Sequence, residues 1–456
     1  MTVASPHTRT MVSFLVSTQL EDVDDPVLVD GRRSLIDSIA CQVAGIVAEP
    51  VRTLLATRSG APSPVLGAAT RTSAPHGAFI GGVAATWHDL DSGHRHPNDD
   101  PPVPGGHTPV HVIPALLALG EPRGMSGREF FRSYLVTYEF GARIAVASAL
   151  RAGLHTHGVH ATTAAAAASA LATGGDADLI DRAIRLAAGL NIMPSMRAPL
   201  EGGTVRNTFA GIGAMHGVLA ERLARAGVVP EVRAMASVYD GIAAGDFDGA
   251  AAVRRLGSEW ETMLGYYKVH ACCRWNHPAL DALEELMARR PLPVSRIAGV
   301  EVRTFAFAAQ MSDQDPRSDL GAKFSLPWSI AAYLVLGSTG PAGYTPEALG
   351  DDRIRDLARR VTVVEEPAYS AQLPERRPTT VVVRTIDESI AASSVLGSRG
   401  DPGNRFDDAR MNRKYLDLVG GVLGEGPARR SHEMLQSIEL MEDIRPLIAE
   451  LTDGPP

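Results

Sequence analysis

Between about residues 27 and 265, apolar side chains recur at the period of a helix. Leu35, Ile36, Ile39, Ala40 and Val43 form one such face, and Phe131, Tyr134, Leu135, Tyr138 and Ala142 form another. Residues 161–172 are almost entirely alanine, serine and threonine, and Gly174–Gly175 follows. Small side chains let neighbouring backbones approach, so this run predicts a tightly packed central helix closed by the glycine pair. No alternating strand pattern competes in this half. After about residue 290 the pattern changes. From Ile297 to Phe307 the chain alternates, with Val300 and Val302 on one side and Glu301 and Arg303 on the other. The stretches 361–364 and 379–386 are β-branched runs, the second set off by Pro374 and Pro378. Helical stretches at 278–288 and 329–336 interleave with them, and 407–451 is helical again. The prediction is a mainly α fold: a large all-helical domain over residues 1–265, completed by 407–456, and a smaller α+β domain over 266–406.

Composition narrows the function classes. At 456 residues the chain exceeds one core, and 45% hydrophobic with 21% charged residues rules out wholesale disorder. Acidic groups outnumber basic ones 52 to 44, for a net charge of -8, and no Lys/Arg block overrides this. With few aromatics as well, nucleic acid is not an expected partner. No run approaches the apolar length of a membrane span, and residues 1–20 lack a signal-peptide core, so a cytoplasmic protein is expected. Three cysteines, Cys41, Cys272 and Cys273, make no disulfide framework and no Cys-x-x-Cys pair, and the adjacent two read as small buried residues.

Histidine is the unusual component: eight of the 14 lie between His88 and His160. His88-Asp-Leu-Asp-Ser-Gly-His-Arg-His-Pro97, with Asn98, Asp99 and Asp100 behind it, lacks HExxH-like spacing and is broken by glycine and proline. It reads as a ligand-facing loop, with a metal site and a solvated loop as alternatives. In Gly105-Gly-His-Thr-Pro-Val-His-Val-Ile-Pro114, Thr108 suits an N-cap and Pro109 a first helical position, which puts His107 just outside a helix start. The arrangement recurs at His155-Thr-His-Gly-Val-His160, where Thr162 or Thr163 can cap the alanine helix. Helix N-termini presenting histidines suit a bound carboxylate and a proton-transfer group. Arg206 precedes a glycine-containing helix as a candidate carboxylate clamp. Gly211-x-Gly213 within that helix lacks the spacing and the preceding strand of a dinucleotide fingerprint. Lys268-Val-His-Ala-Cys-Cys-Arg-Trp-Asn-His-Pro278 places His277 at a third helix start.

Taken in order, these segments resemble the MmgE/PrpD family of 2-methylcitrate dehydratases, cis-aconitate decarboxylases and iminodisuccinate epimerases. The family's acidic loop is matched by Asp89-Leu-Asp91-Ser-Gly93, and its His-Pro-containing helix start by His107-Thr-Pro-Val-His-Val-Ile-Pro114. Val159-His160-Ala-Thr matches the segment before its alanine-rich helix. Cys273-Arg-Trp-Asn-His277-Pro-Ala-Leu-Asp-Ala, Ala322-Lys-Phe-Ser-Leu-Pro327 and Gly400-Asp-Pro-Gly-Asn404 match three further signatures. The resemblance spans about residues 10–445. It implies a helical large domain with a smaller α+β lid, a homodimer, and an interdomain site needing no metal or organic cofactor. The expected activity is a lyase, a dehydratase or decarboxylase, acting on a small polycarboxylate by proton transfer next to a carboxylate. An epimerase or isomerase, or a silent ligand-binding accessory protein, are the alternatives. The implied catalytic residues are His107, His160 and His277, with Asp89 orienting an imidazole. Arg206, Asp91, Thr108, Lys268 and Trp328 are expected to bind substrate. Three positions depart from the family: Arg206 replaces a lysine, Gly93 a threonine, and Trp328 a tyrosine, the last expected to remove a phenol and narrow the pocket.

Overall fold

The computed structural model describes residues 5–56, 61–95 and 106–452. His96, Pro97, Asn98, Asp99, Asp100 and Gly105, part of the histidine-rich loop, lie outside them.

The alanine run forms the helix His160–Ala172, buried along nearly its whole length. Helices Pro109–Gly120, Gly127–Val146, Ala177–Gly189 and Phe209–Arg225 pack around it. The last of these also crosses helix Ala74–Trp87 at very short range. A Cβ on Gly82 would meet Gly211 backbone at 2.6 Å, and one on Gly211 would meet the Phe79 carbonyl at 2.3 Å. Glycine at both positions is therefore a packing requirement, which accounts for Gly211 without a nucleotide. The N-terminal apolar faces read from the sequence are buried, in helices Asp25–Gly45 and Gly127–Val146. Helix Asp408–Leu423 packs on Asp25–Gly45, and Lys414 Nζ donates to Asp37 at 2.5 Å and to the Leu90 carbonyl at 2.9 Å.

Eight strands are present among the described residues: β1 (Ser63–Val65), β2 (Ala68–Thr72), β3 (Gly93–His94), β4 (Gly265–Tyr266), β5 (Ile297–Thr304), β6 (Val361–Glu365), β7 (Thr379–Thr385) and β8 (Ile390–Val395). The last four make one sheet in the order β6-β5-β7-β8, with β5 and β6 parallel and the other pairs antiparallel. Its apolar face, including Ile297, Val300, Val302, Val381 and Val383, joins a second core with helices His277–Arg289 and Leu326–Leu336. Mainly α is therefore right, but the expectation of a first half without strands is corrected. The β1–β2 ladder is one exception. The other, β3 against β4, pairs Gly93 with Tyr266 and His94 with Gly265. Two-residue strands leave no periodic trace in sequence, yet this one brings the acidic loop beside the Lys268 segment.

Two capping expectations are also corrected. Thr108 adopts a helical conformation and its side chain caps nothing. The alanine helix begins at His160 behind Val159, and the Thr163 hydroxyl donates back to the His160 carbonyl at 2.7 Å instead of capping. No single helix among the described residues is long and apolar enough to cross a membrane.

Candidate active site

After helix Ala74–Trp87 the chain turns through Asp89, whose φ of 52° lies in the left-handed region that aspartate seldom occupies. The turn aims its carboxylate at two buried cations. Arg206 Nη2 donates to Asp89 Oδ1 at 2.7 Å, and Lys268 Nζ donates to the same oxygen at 3.0 Å and to the Asp89 carbonyl at 2.9 Å. Burial opposes the charge on both cations, but Asp89 and Asp91 outweigh it and raise both pKa values. Arg206 and Lys268 are thus held permanently charged, and the backbone strain at Asp89 is the local cost of that arrangement.

Two residues on, Asp91 is fully buried, and its Oδ2 lies 2.6 Å from His107 Nδ1. Burial alone would raise its pKa, but His107, Lys268 and Arg206 overcome this and hold the carboxyl well below the usual range. His107 Nδ1 also lies 2.9 Å from the Ser92 carbonyl, so the proton is assigned to Nδ1. Nε2 is then an acceptor, 3.3 Å from the hydroxyl of Tyr266. Asp91, His107 and Tyr266 thus stand in series, a carboxylate beside an imidazole whose other face meets a phenol. Behind it the rings of His155 and His157 follow at 4.6–4.7 Å spacings, and burial pushes both well below the ordinary imidazole pKa. Asp91, His107 and His157 also offer three potential metal-ligand atoms within 4.8 Å of one another. Arg206 and Lys268, however, already place two fixed positive charges beside this group: they bond to Asp89 and act on Asp91 through space. The donor set suits a charge-relay imidazole better than a dication.

These groups border a cavity of about 230 Å³. Asp89, His107, Arg206, Lys268 and Tyr266 line it, joined by Arg95, Arg151, His155, Cys273 and Arg274. Among the described residues, five cations thus face one lining carboxylate, which fits an anion carrying more than one charge. The guanidiniums of Arg95 and Arg274 each lie 5.0 Å from the Tyr266 ring centroid and share Asp401 as counter-ion, at 3.3 and 2.8 Å.

Models of this architecture match the chain twice: an MmgE/PrpD N-terminal domain over residues 9–252 and an MmgE/PrpD C-terminal domain over residues 270–440. The chain belongs to the MmgE/PrpD family. Among curated proteins it is 24% identical to a cis-aconitate decarboxylase of Aspergillus terreus, over 95% of this chain and 93% of the relative. It is 25% identical to the cis-aconitate decarboxylase-like protein oryM of Aspergillus oryzae, over 97% and 96%.

Within this MmgE/PrpD chain the structure redistributes the residues expected at the site. It brings Asp89, His107, Arg206 and Lys268 to the cavity, where Asp89 faces the two cations and the carboxylate beside the His107 imidazole is that of Asp91. Asp91 is correspondingly behind His107 and not on the substrate-binding wall. Thr108, His160, His277 and Trp328 are not on that wall either. His160 pairs with the Ser148 hydroxyl at 2.9 Å and lies against Tyr239, and burial lowers its pKa to about 3. His277 accepts from the cavity-lining Arg274 at 3.0 Å and lies 3.3 Å from the Cys272 carbonyl. Trp328 is fully buried in the second core and donates to the Gly343 carbonyl at 2.9 Å. It narrows nothing. Gly93, by contrast, has a clear reason. A Cβ there would lie 2.5 Å from the Tyr266 hydroxyl, so the phenol occupies the space of the missing side chain. Tyr266, Arg95 and Arg274 are the residues sequence reasoning missed. Arg274 stood inside a quoted motif, and Tyr266 lay two positions before Lys268.

Proposed function

We propose that the protein is a lyase that removes carbon dioxide or water from a small polycarboxylate, using its own side chains for charge and proton transfer. The observation that carries this reading is the cavity wall itself. Among the described residues, five cations surround a space bordered by His107 and Tyr266, with Asp91 behind the imidazole. Arg206 and Lys268 are held charged by Asp89 and serve as fixed carboxylate anchors, and Arg95 and Arg274 supply the opposite anchors. In the decarboxylating form, the bond between a carbon and its carboxylate breaks. The electron pair left behind spreads into an adjacent conjugated carboxylate, whose growing charge the anchors stabilise. Tyr266 delivers the proton that forms the new C–H bond, and His107, oriented by Asp91, restores the phenol with a proton from solvent. In the dehydrating form, His107 takes the proton next to the carboxylate and Tyr266 protonates the departing hydroxyl.

The names of the curated relatives support decarboxylation as the first form to test. Purified protein is incubated with citrate, 2-methylcitrate, cis-aconitate and iminodisuccinate, and carbon dioxide and products are followed. Turnover of at least one compound with loss of carbon dioxide or water is expected. Absence of turnover and of solvent-proton exchange with all four would overturn the reading, and exchange without net loss would make the protein an epimerase.

A further inference from the structure

The cationic groups account for only part of the cavity wall. Its large apolar side chains among the described residues are Leu150, Leu154, Met196, Trp275, Phe307 and Phe324. The two sets meet at a defined seam: the Phe324 ring lies 6.0 Å from the Arg206 guanidinium. Beyond it, Trp275 and Phe307 stack with centroids 5.1 Å apart and planes inclined by 25°. They come from separate segments, the turn Arg274–Asn276 and the short helix Ala306–Ala309. Both are half-buried, as are Met196 and Leu154, so apolar surface faces the cavity without other side chains to cover it fully. A ligand made only of carboxylates gains nothing from that surface, and a carboxylate placed there loses water without finding a partner.

We infer that the substrate is a polycarboxylate bearing an apolar arm, an alkyl chain of several carbons or an aryl group, which lies along Trp275, Phe307 and Phe324 while its carboxylates meet Arg206, Lys268, Arg95 and Arg274. This rests on the polycarboxylate reading above and names its substrate class. The arm anchors the molecule at the non-reacting end. Binding energy gained there holds the carboxylated carbon against Tyr266, so truncated substrates lose rate as well as affinity.

The test is a homologous series of cis-aconitates and citrates carrying hydrogen, methyl, propyl, butyl or hexyl at one carbon, assayed on the wild-type protein. Burying one methylene corresponds to about a fourfold gain in kcat/KM, so the butyl compound should exceed the unsubstituted one by roughly two orders of magnitude. Phe307→Ser, and separately Leu154→Ser, should flatten that slope. A profile that is level or falls with chain length, with the unsubstituted compound turned over, overturns the apolar arm and leaves the lyase reading standing. Variants that lower every member equally also overturn it. If no member is bound or converted, the polycarboxylate reading itself fails, and the arm with it.

Discussion

Gly93→Ala is the sharpest perturbation the site offers, because it adds one carbon and no charge. Gly93 has no left-handed backbone, so space alone keeps it a glycine. The new Cβ would stand 2.5 Å from the Tyr266 hydroxyl, 2.6 Å from Cζ and 2.8 Å from Cε1, about 0.9 Å inside ordinary contact at 3.4 Å. β3 and β4 are paired at this residue, so the strain falls on the ring, whose hydroxyl is 3.3 Å from His107. Displacement by nearly an ångström removes that hydrogen bond. Overpacking of this kind costs about 1–3 kcal/mol of stability, and misplacing a reacting group by such a distance lowers kcat by roughly 100-fold. Tyr266→Phe, which deletes the hydroxyl and leaves the ring, should lower kcat by about 10²–10⁴ with little change in Tm. The two changes act through one hydroxyl, so the double variant should fall within about threefold of Tyr266→Phe alone. The assay is steady-state kinetics on the best substrate of the polycarboxylate panel, with Tm measured alongside. Gly93→Ala with kcat within a factor of a few of wild type, or a double variant whose losses multiply, would refute the assignment of Tyr266.

Other consequences can be measured directly. Asp89→Asn leaves Arg206 and Lys268 buried without their shared carboxylate, so unfolding should become easier by about 3–5 kcal/mol in denaturant titration. Burial lowers the pKa values of His88 and His111 to about 4 and that of His160 to about 3. Because the unfolded chain protonates these imidazoles first, stability should fall as pH drops below about 6.5. His160→Gln should reduce the slope of Tm against pH between there and pH 4. Asp91 acts lower on the scale. Its depressed folded pKa contributes stability that is complete above about pH 4 and lost as pH falls further, so Asp91→Asn should flatten that part of the curve. The Cys272 thiol is pushed up by burial and is not on the cavity wall, so Cys272→Ser should keep activity within about threefold of wild type.

The fold was legible wherever apolar spacing sets the structure. The faces at Leu35–Val43 and Phe131–Ala142, the alanine helix and the alternation at Val300 and Val302 all bury as their periods require. β8 escaped because Ala391, Ala392, Ser393 and Ser394 carry little strand preference, and its place follows from pairing with β7. At the site, the motifs delivered Asp89, His107, Arg206 and Lys268 but not their division of labour. Asp89 and Asp91 are equally acidic in sequence. A left-handed turn at Asp89 sends one to the cations and leaves the other for the imidazole. Tyr266 was hidden for a different reason. It becomes a site residue only through the Gly93 pairing, across more than 170 positions of chain. Trp328 shows the converse: a position prominent in the family comparison is here an interior residue whose indole is satisfied by Gly343.

Proton transfer at a carbon beside a carboxylate leaves its record in the position of a solvent label. Wild-type protein is incubated with cis-aconitate and its alkylated analogues in deuterium oxide, and products are read by proton and carbon NMR. One deuterium is expected at the carbon protonated as carbon dioxide leaves or, for the dehydrating form run in reverse on these alkenes, at the carbon beside a carboxylate as the double bond takes up water. Recovery of every compound unchanged and free of deuterium, from folded protein, would contradict it.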